Sequence, residues 1–94
     1  ALNDSTQAIA NNPNVTDGYI SRGRARTLSG DHQGAVKDLT QAIQMNPNDA
    51  TPYVFRGMAH NSLEKTDAAN ADWSKARSLN SAITDALLKT YAKK

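Results

Sequence analysis

Two histidines, His32 and His60, nine acidic residues and scattered serines are the groups from which this chain could assemble hydrolytic chemistry. A Ser-His-Asp triad requires a nucleophile and an orienting acid around one imidazole. No such constellation takes shape around either ring, and both read as exposed or edge histidines. Two histidines without an HExxH spacing, isolated carboxylates and no cysteine offer no metal site, and no cofactor is implied. Gly18, Gly23, Gly30 and Gly34 sit in and around helical stretches, so they do not form the strand-to-helix loop that cradles phosphates. The chain reads as non-catalytic.

The run Arg22-Gly23-Arg24-Ala25-Arg26 has the look of a nucleic-acid motif. On a helix it divides: Arg22 and Arg26 share a face, while Arg24 points roughly 200° away at about 100° per residue. Eleven Lys and Arg against nine Asp and Glu leave a net charge of only +2, too little to hold a polyanion by counterion release. Nucleic acid is not the expected partner. No apolar run approaches the roughly 20 residues needed to span a bilayer, so no membrane insertion is expected. The absence of cysteine excludes a disulfide framework and leaves the redox compartment open.

An internal repeat organises these residues. Asn12-Pro13-Asn14 returns as Asn46-Pro47-Asn48, an offset of 34 residues. At the same offset Tyr19-x-x-Arg22-Gly23-x-Ala25 returns as Tyr53-x-x-Arg56-Gly57-x-Ala59, and Asp4-x-Thr6-Gln7-Ala8-Ile9 as Asp38-x-Thr40-Gln41-Ala42-Ile43. A weaker copy is Asp72-x-x-x-Ala76 with Asn80 in the place of Asn46. One domain over 1–94 follows: a half unit (1–15), two full units (16–49 and 50–83) and a C-terminal closing helix (84–94). Because the chain begins at Ala1, it is expected to be an excised or processed part of a longer protein.

Apolar and small residues fall at helical spacing, with Tyr19, Gly23 and Arg26 on one stripe and Ala35, Leu39, Ala42 and Ile43 on another. Each unit is therefore expected to be two helices. Gly30 supplies a left-handed stop and Asp31 a cap, while Glu64-Lys65-Thr66-Asp67 makes the corresponding turn without glycine. Proline in Asn-Pro-Asn ends each unit. The last segment is expected to start at a Ser81 cap, to turn Ile83, Leu87, Leu88 and Tyr91 to one side, and to end in lysines. Arg22 and Arg56 recur with the aspartates, so they are expected to pair either with Asp38 and Asp72 or with Asp4 and Asp38 of the preceding units.

The spacing Tyr19-x-x-Arg22-Gly23-x-x-Arg26, Ala35-x-x-x-Leu39, Pro47 resembles the tetratricopeptide repeat, as does Tyr53-x-x-Arg56-Gly57-x-x-His60, Ala69-x-x-x-Trp73. The resemblance covers nearly the whole chain. It departs from the family pattern at Arg22 and Arg56, where leucine is commoner, at Arg26 and His60, in an aromatic position, and at Ser81, in place of the closing proline. It implies an all-α fold, an α-solenoid of antiparallel helix pairs with about six helices. Gly23 with Ala35 and Gly57 with Ala69 are expected at close helix crossings, with Tyr19, Leu39, Tyr53 and Trp73 filling the wider space.

The resemblance also implies a concave groove lined by the first helix of each unit, used to hold a peptide or helix of a partner protein. The face turned away from the Tyr and Gly stripe carries Asp17, Ile20, Arg24 and Thr27 or Leu28. One unit on it carries Thr51, Val54, Met58 and Asn61, continued by Asp85 and Leu88. Ile20, Val54, Met58 and Leu88 would form an apolar floor and Arg24 its cation. Chaperone-binding members of the family clamp a terminal carboxylate with lysine and asparagine; Ile20, Arg24 and Phe55 stand in those places, which disfavours that function. The expected function is a protein-interaction module. The alternative is a self-associating scaffold, a homo-oligomer through the N-terminal helix, because Ala1, Leu2, Ala8 and Ile9 form an apolar face that needs cover.

Overall fold

The computed structural model describes residues 16–91, which form helices joined by tight turns. The helices are α1 (Thr16–Ser29), α2 (His32–Met45), α3 (Ala50–Ser62) and α4 (Thr66–Tyr91). Each boundary has a local cause. Helix α1 carries Asp17 in its first turn and Arg26 in its last, matching the helix dipole. It stops at Gly30, whose φ of 101° lets the Asp31 N–H reach back to the Arg26 carbonyl at 2.8 Å. Asp31 then caps α2 by accepting from the Gly34 N–H at 3.1 Å. Helix α2 ends at Asn46, one residue before Pro47, and Asp49 caps α3 by accepting from the Thr51 N–H at 3.0 Å.

Helix α3 repeats the turn that ends α1. Lys65 N–H reaches the His60 carbonyl at 2.8 Å, and Glu64 occupies the left-handed position with a φ of 63°. A side chain there costs energy that glycine avoids.

The expected six helices are not found: the described residues form four, in two antiparallel pairs. One of the missing two was expected within 1–15, and the other is joined to its neighbour at Asn80-Ser81. Where the earlier unit has Asn46-Pro47-Asn48-Asp49, this one has Asn80-Ser81-Ala82-Ile83, and no proline removes an N–H. Asn80 alone leaves helical geometry (φ −163°, ψ 93°), so the 26 residues of α4 are two helical stretches joined directly across a kink. The cap at the bend is Asn80, whose Oδ1 accepts from the Ile83 N–H at 3.1 Å, rather than Ser81. The expected half unit at 1–15 lies outside the described residues.

Helix α1 packs on α2, α3 on α4, and α3 also touches both helices of the preceding pair. The core they share comprises Ala35, Leu39, Ala50, Tyr53, Val54, Phe55, Met58, Ala59 and Ala76. Gly23 and Gly57 do mark close approaches, but the residues opposite them are large. A Cβ on Gly23 would lie 2.6 Å from Leu39 Cδ2, and one on Gly57 would lie 2.7 Å from Trp73 Cδ1. Leu39 and Trp73 thus fill the notch left by each glycine, and the Trp73 Nε1–H is anchored on the Val54 carbonyl at 3.1 Å. Beyond the bend, Thr84 is buried and Leu87 and Leu88 half-buried, while Ile83 and Tyr91 are exposed. Tyr91 meets the Phe55 ring at 5.4 Å between centroids.

Two substitutions test this packing. Gly57→Ala should cost roughly 1–3 kcal/mol by displacing the indole, read as a drop of ~4–8 °C in melting midpoint per kcal/mol; an unshifted midpoint would contradict the notch. Glu64→Gly should raise stability by roughly 0.5–1 kcal/mol through relief of the left-handed side chain, and a lower midpoint would show that Glu64 makes compensating contacts.

Candidate functional site

The polar interior fixes which arginines remain available to the surface. Asp38 on α2 is 3% exposed, and α1 supplies its counter-charge. Arg22 holds it bidentately, Nε to Oδ2 at 2.8 Å and Nη2 to Oδ1 at 2.7 Å. Arg26, one turn on, adds Nη1 to Oδ2 at 3.0 Å. One period later, Asp72 on α4 is likewise buried. Arg56 grips it through Nε at 2.9 Å and Nη2 at 2.7 Å, and its Nη1 donates to Thr40 Oγ1 on α2 at 3.2 Å. Of the two pairings open to the sequence, the observed one is therefore within the unit, Arg22 with Asp38 and Arg56 with Asp72. The hydrogen bonds to these carboxylates raise both guanidinium pKa values, against the opposing effect of burial. Fork geometry suits this task, since a planar guanidinium satisfies both carboxylate oxygens at once.

His60 takes the place of Arg26 in the second unit, with Nε2 3.7 Å from Asp72 Oδ2. Its buried Nδ1 has no hydrogen-bond partner among the described residues. Burial pushes its pKa below the ordinary value, with Arg56 and Lys65 acting in the same direction and Asp72 against them.

The face proposed for partner contact divides by depth. Asp17, Arg24 and Asn61 are exposed, and Ile20, Thr51 and Leu88 are half-buried. Val54 is 0% and Met58 8% exposed, so both lie in the core beneath the surface. Thr27 is buried, with its hydroxyl donating to the Gly23 carbonyl at 2.8 Å, whereas Leu28 is 55% exposed. Of that pair, Leu28 faces solvent. Arg24 makes no ion pair with a described residue, although Arg22, Arg26, Arg56 and Arg77 all do. Spacing alone does not reveal Arg26 as a second partner of Asp38, or Thr40 as an acceptor for Arg56. The signal for both is the 34-residue offset, which places Arg26 over His60 and Arg22 over Arg56. The N-terminal apolar face of Ala1, Leu2, Ala8 and Ile9 lies outside the described residues. No described helix is long and apolar enough to cross a membrane.

The lowered His60 pKa makes stability depend on pH with a definite sign. The folded chain keeps the ring neutral, while the unfolded chain protonates it near 6.5. The unfolded state therefore binds more protons just below that pH, so His60's contribution is complete above it and falls as the solution is acidified. In thermal melts between pH 7.5 and 5.5 on the order of these side-chain values, wild type should lose more stability than His60→Gln. Parallel losses would remove His60 from the account.

No protein-family model matches the chain, and no curated protein matches it in sequence. A solved structure, the Arabidopsis OM64 TPR domain, is similar to it, with a TM-score of 0.84 and 27% identity over 97% of this chain and 79% of that one. With the 34-residue period and the glycine-notched antiparallel helix pairs already described, this likeness gives the chain a tetratricopeptide-repeat fold.

Proposed function

We propose that the domain is a non-catalytic interaction module that holds a peptide or helix of a partner protein along the face of its first helices. Tetratricopeptide-repeat domains generally serve protein interaction and are typically non-catalytic. The observation that carries the reading for this chain is the segregation of its arginines. Arg22, Arg26 and Arg56 are engaged with buried aspartates and Arg77 with the exposed Asp85, whereas Arg24 is exposed and forms no ion pair among the described residues. It lies on the same helix face as Ile20 and Asp17, four and seven residues earlier.

Val54 and Met58 support this face from within the core, while Ile20, Thr51 and Leu88 offer a half-buried apolar and hydroxyl surface. Asn61 and Asp17 supply polar edges. A partner segment matched to this surface carries an apolar residue for Ile20 and Leu88 and a carboxylate for Arg24. The pairing would be only partly desolvated, so it contributes register and specificity more than bulk affinity.

Peptides selected against the wild-type domain from a displayed random library provide the test. Arg24→Glu should weaken the selected peptides by about tenfold or more, equivalent to ~1.4 kcal/mol, while circular dichroism and melting stay unchanged. Equal affinity for Arg24→Glu and Ile20→Ala across the selected peptides would move the binding surface elsewhere.

A further inference from the structure

The joint inside α4 differs in kind from the joint between α2 and α3. After Asn46, Pro47 disfavours helical geometry in the residue before it, so the chain has to turn. One period on, Ser81 stands in the place of Pro47, and Asn80 is the one residue of α4 outside helical geometry. No proline ring holds this kink. With Asn80 helical, the last carbonyls of the first stretch and the first N–H groups of the second would satisfy each other, as in any continuous helix. Two side-chain bonds oppose that change: Asn80 Oδ1 accepts from the Ile83 N–H at 3.1 Å, and Arg77 Nε donates to Asp85 Oδ1 at 3.2 Å. In a straight helix Arg77 and Asp85 would stand about 12 Å apart along the axis, beyond reach of each other. Both are exposed, where an ion pair holds little. The Thr84 hydroxyl donates to the Asn80 carbonyl at 2.8 Å, the same four-residue bond that Thr27 makes to Gly23 within α1, so a straight helix keeps it.

We propose that two copies of this chain exchange residues 81–91. In the exchanged dimer α4 runs straight through Asn80, and the last stretch of each copy covers the core of the other around Phe55. Complementarity identifies the occupant as a second copy. The site is already filled by this sequence, with Thr84 buried, Leu87 and Leu88 packed on the core and the Tyr91 ring 5.4 Å from that of Phe55. An identical stretch reproduces each of these contacts, and the exchange is isologous, so it closes at two copies. The joint has no spare residues, so a straightened stretch cannot fold back onto its own core. Straightening in a lone chain would uncover Phe55, now 1% exposed, which confines the straight form to the dimer. The exchange stands independently of peptide binding, but it would make Leu88, on the face proposed for a partner, a residue supplied by the second copy.

The chain has no cysteine, so a nitroxide can be placed uniquely at Lys89→Cys, an exposed position. Spin-labelled chain refolded together with isotope-labelled chain that carries no nitroxide should broaden the amide signals around Phe55, and light scattering over the same concentrations should follow a monomer–dimer equilibrium. Ser81→Pro puts proline at a first helical position, where it is tolerated, and keeps Asn80 extended. It should leave the circular dichroism unchanged, the chain monomeric and those signals sharp. Asn80→Ala removes the cap in each copy and should tighten the dimer by about tenfold. A wild-type monomer at every concentration would overturn the proposal, and so would a dimer that Ser81→Pro leaves intact. Broadening confined to α1 would give the association to another surface and overturn it as well.

Discussion

The helix junctions of this fold are arranged around two largely buried carboxylates. Asp38 and Asp72 sit at the junction of each helix pair, and a buried unpaired carboxylate would cost several kcal/mol. Each must therefore find its cations on the helix packed against it. Only one rotational setting of α1 against α2 brings Arg22 and Arg26 to Asp38, and the same setting of α3 against α4 brings Arg56 to Asp72. The ion pair contributes little net stability when weighed against an apolar pair of equal size. Its effect lies in penalising every other register.

Such a junction works only if the helices come close enough for the arginine forks to reach, and the glycines provide this. Gly23 and Gly57 follow Arg22 and Arg56 directly, so each guanidinium and each notch belong to the same turn. Leu39 and Trp73 follow Asp38 and Asp72 in the same way. One helix presents arginine then glycine, and the other aspartate then a large apolar residue. This two-residue code replaces part of the apolar packing that a pair of helices would otherwise need, which accounts for a hydrophobic content of only 38%.

The parts of this arrangement that were legible in the sequence are those carried by periodicity. The 34-residue offset places both helix pairs, and the residue types Gly30 and Asp31 place the first turn and its cap, because each depends on local chemistry at a fixed position. The choice between Asp38 and Asp4 for Arg22 was not legible, since recurrence at one period fits pairing within a unit and between units equally well. Three-dimensional crossing geometry decides it. The depth of Val54 and Met58 also escaped, because a helix facing map assigns direction but not how much of a neighbouring helix overlies it. The separation of the closing helix is legible as well, although without a proline the break is confined to Asn80, where the backbone is extended and the side chain caps the next stretch. Ile83 does not share the buried side with Leu87 and Leu88; Thr84 takes that place.

The two units are built alike but are not chemically equivalent, and the differences fall on one side. Unit one ends its first helix at Gly30 and surrounds Asp38 with two guanidinium groups; unit two ends at a left-handed Glu64 and gives Asp72 one guanidinium and a neutral imidazole. Strain and acid sensitivity are thereby concentrated at the end of α3, while α1 combines a fully neutralised carboxylate with a relaxed turn.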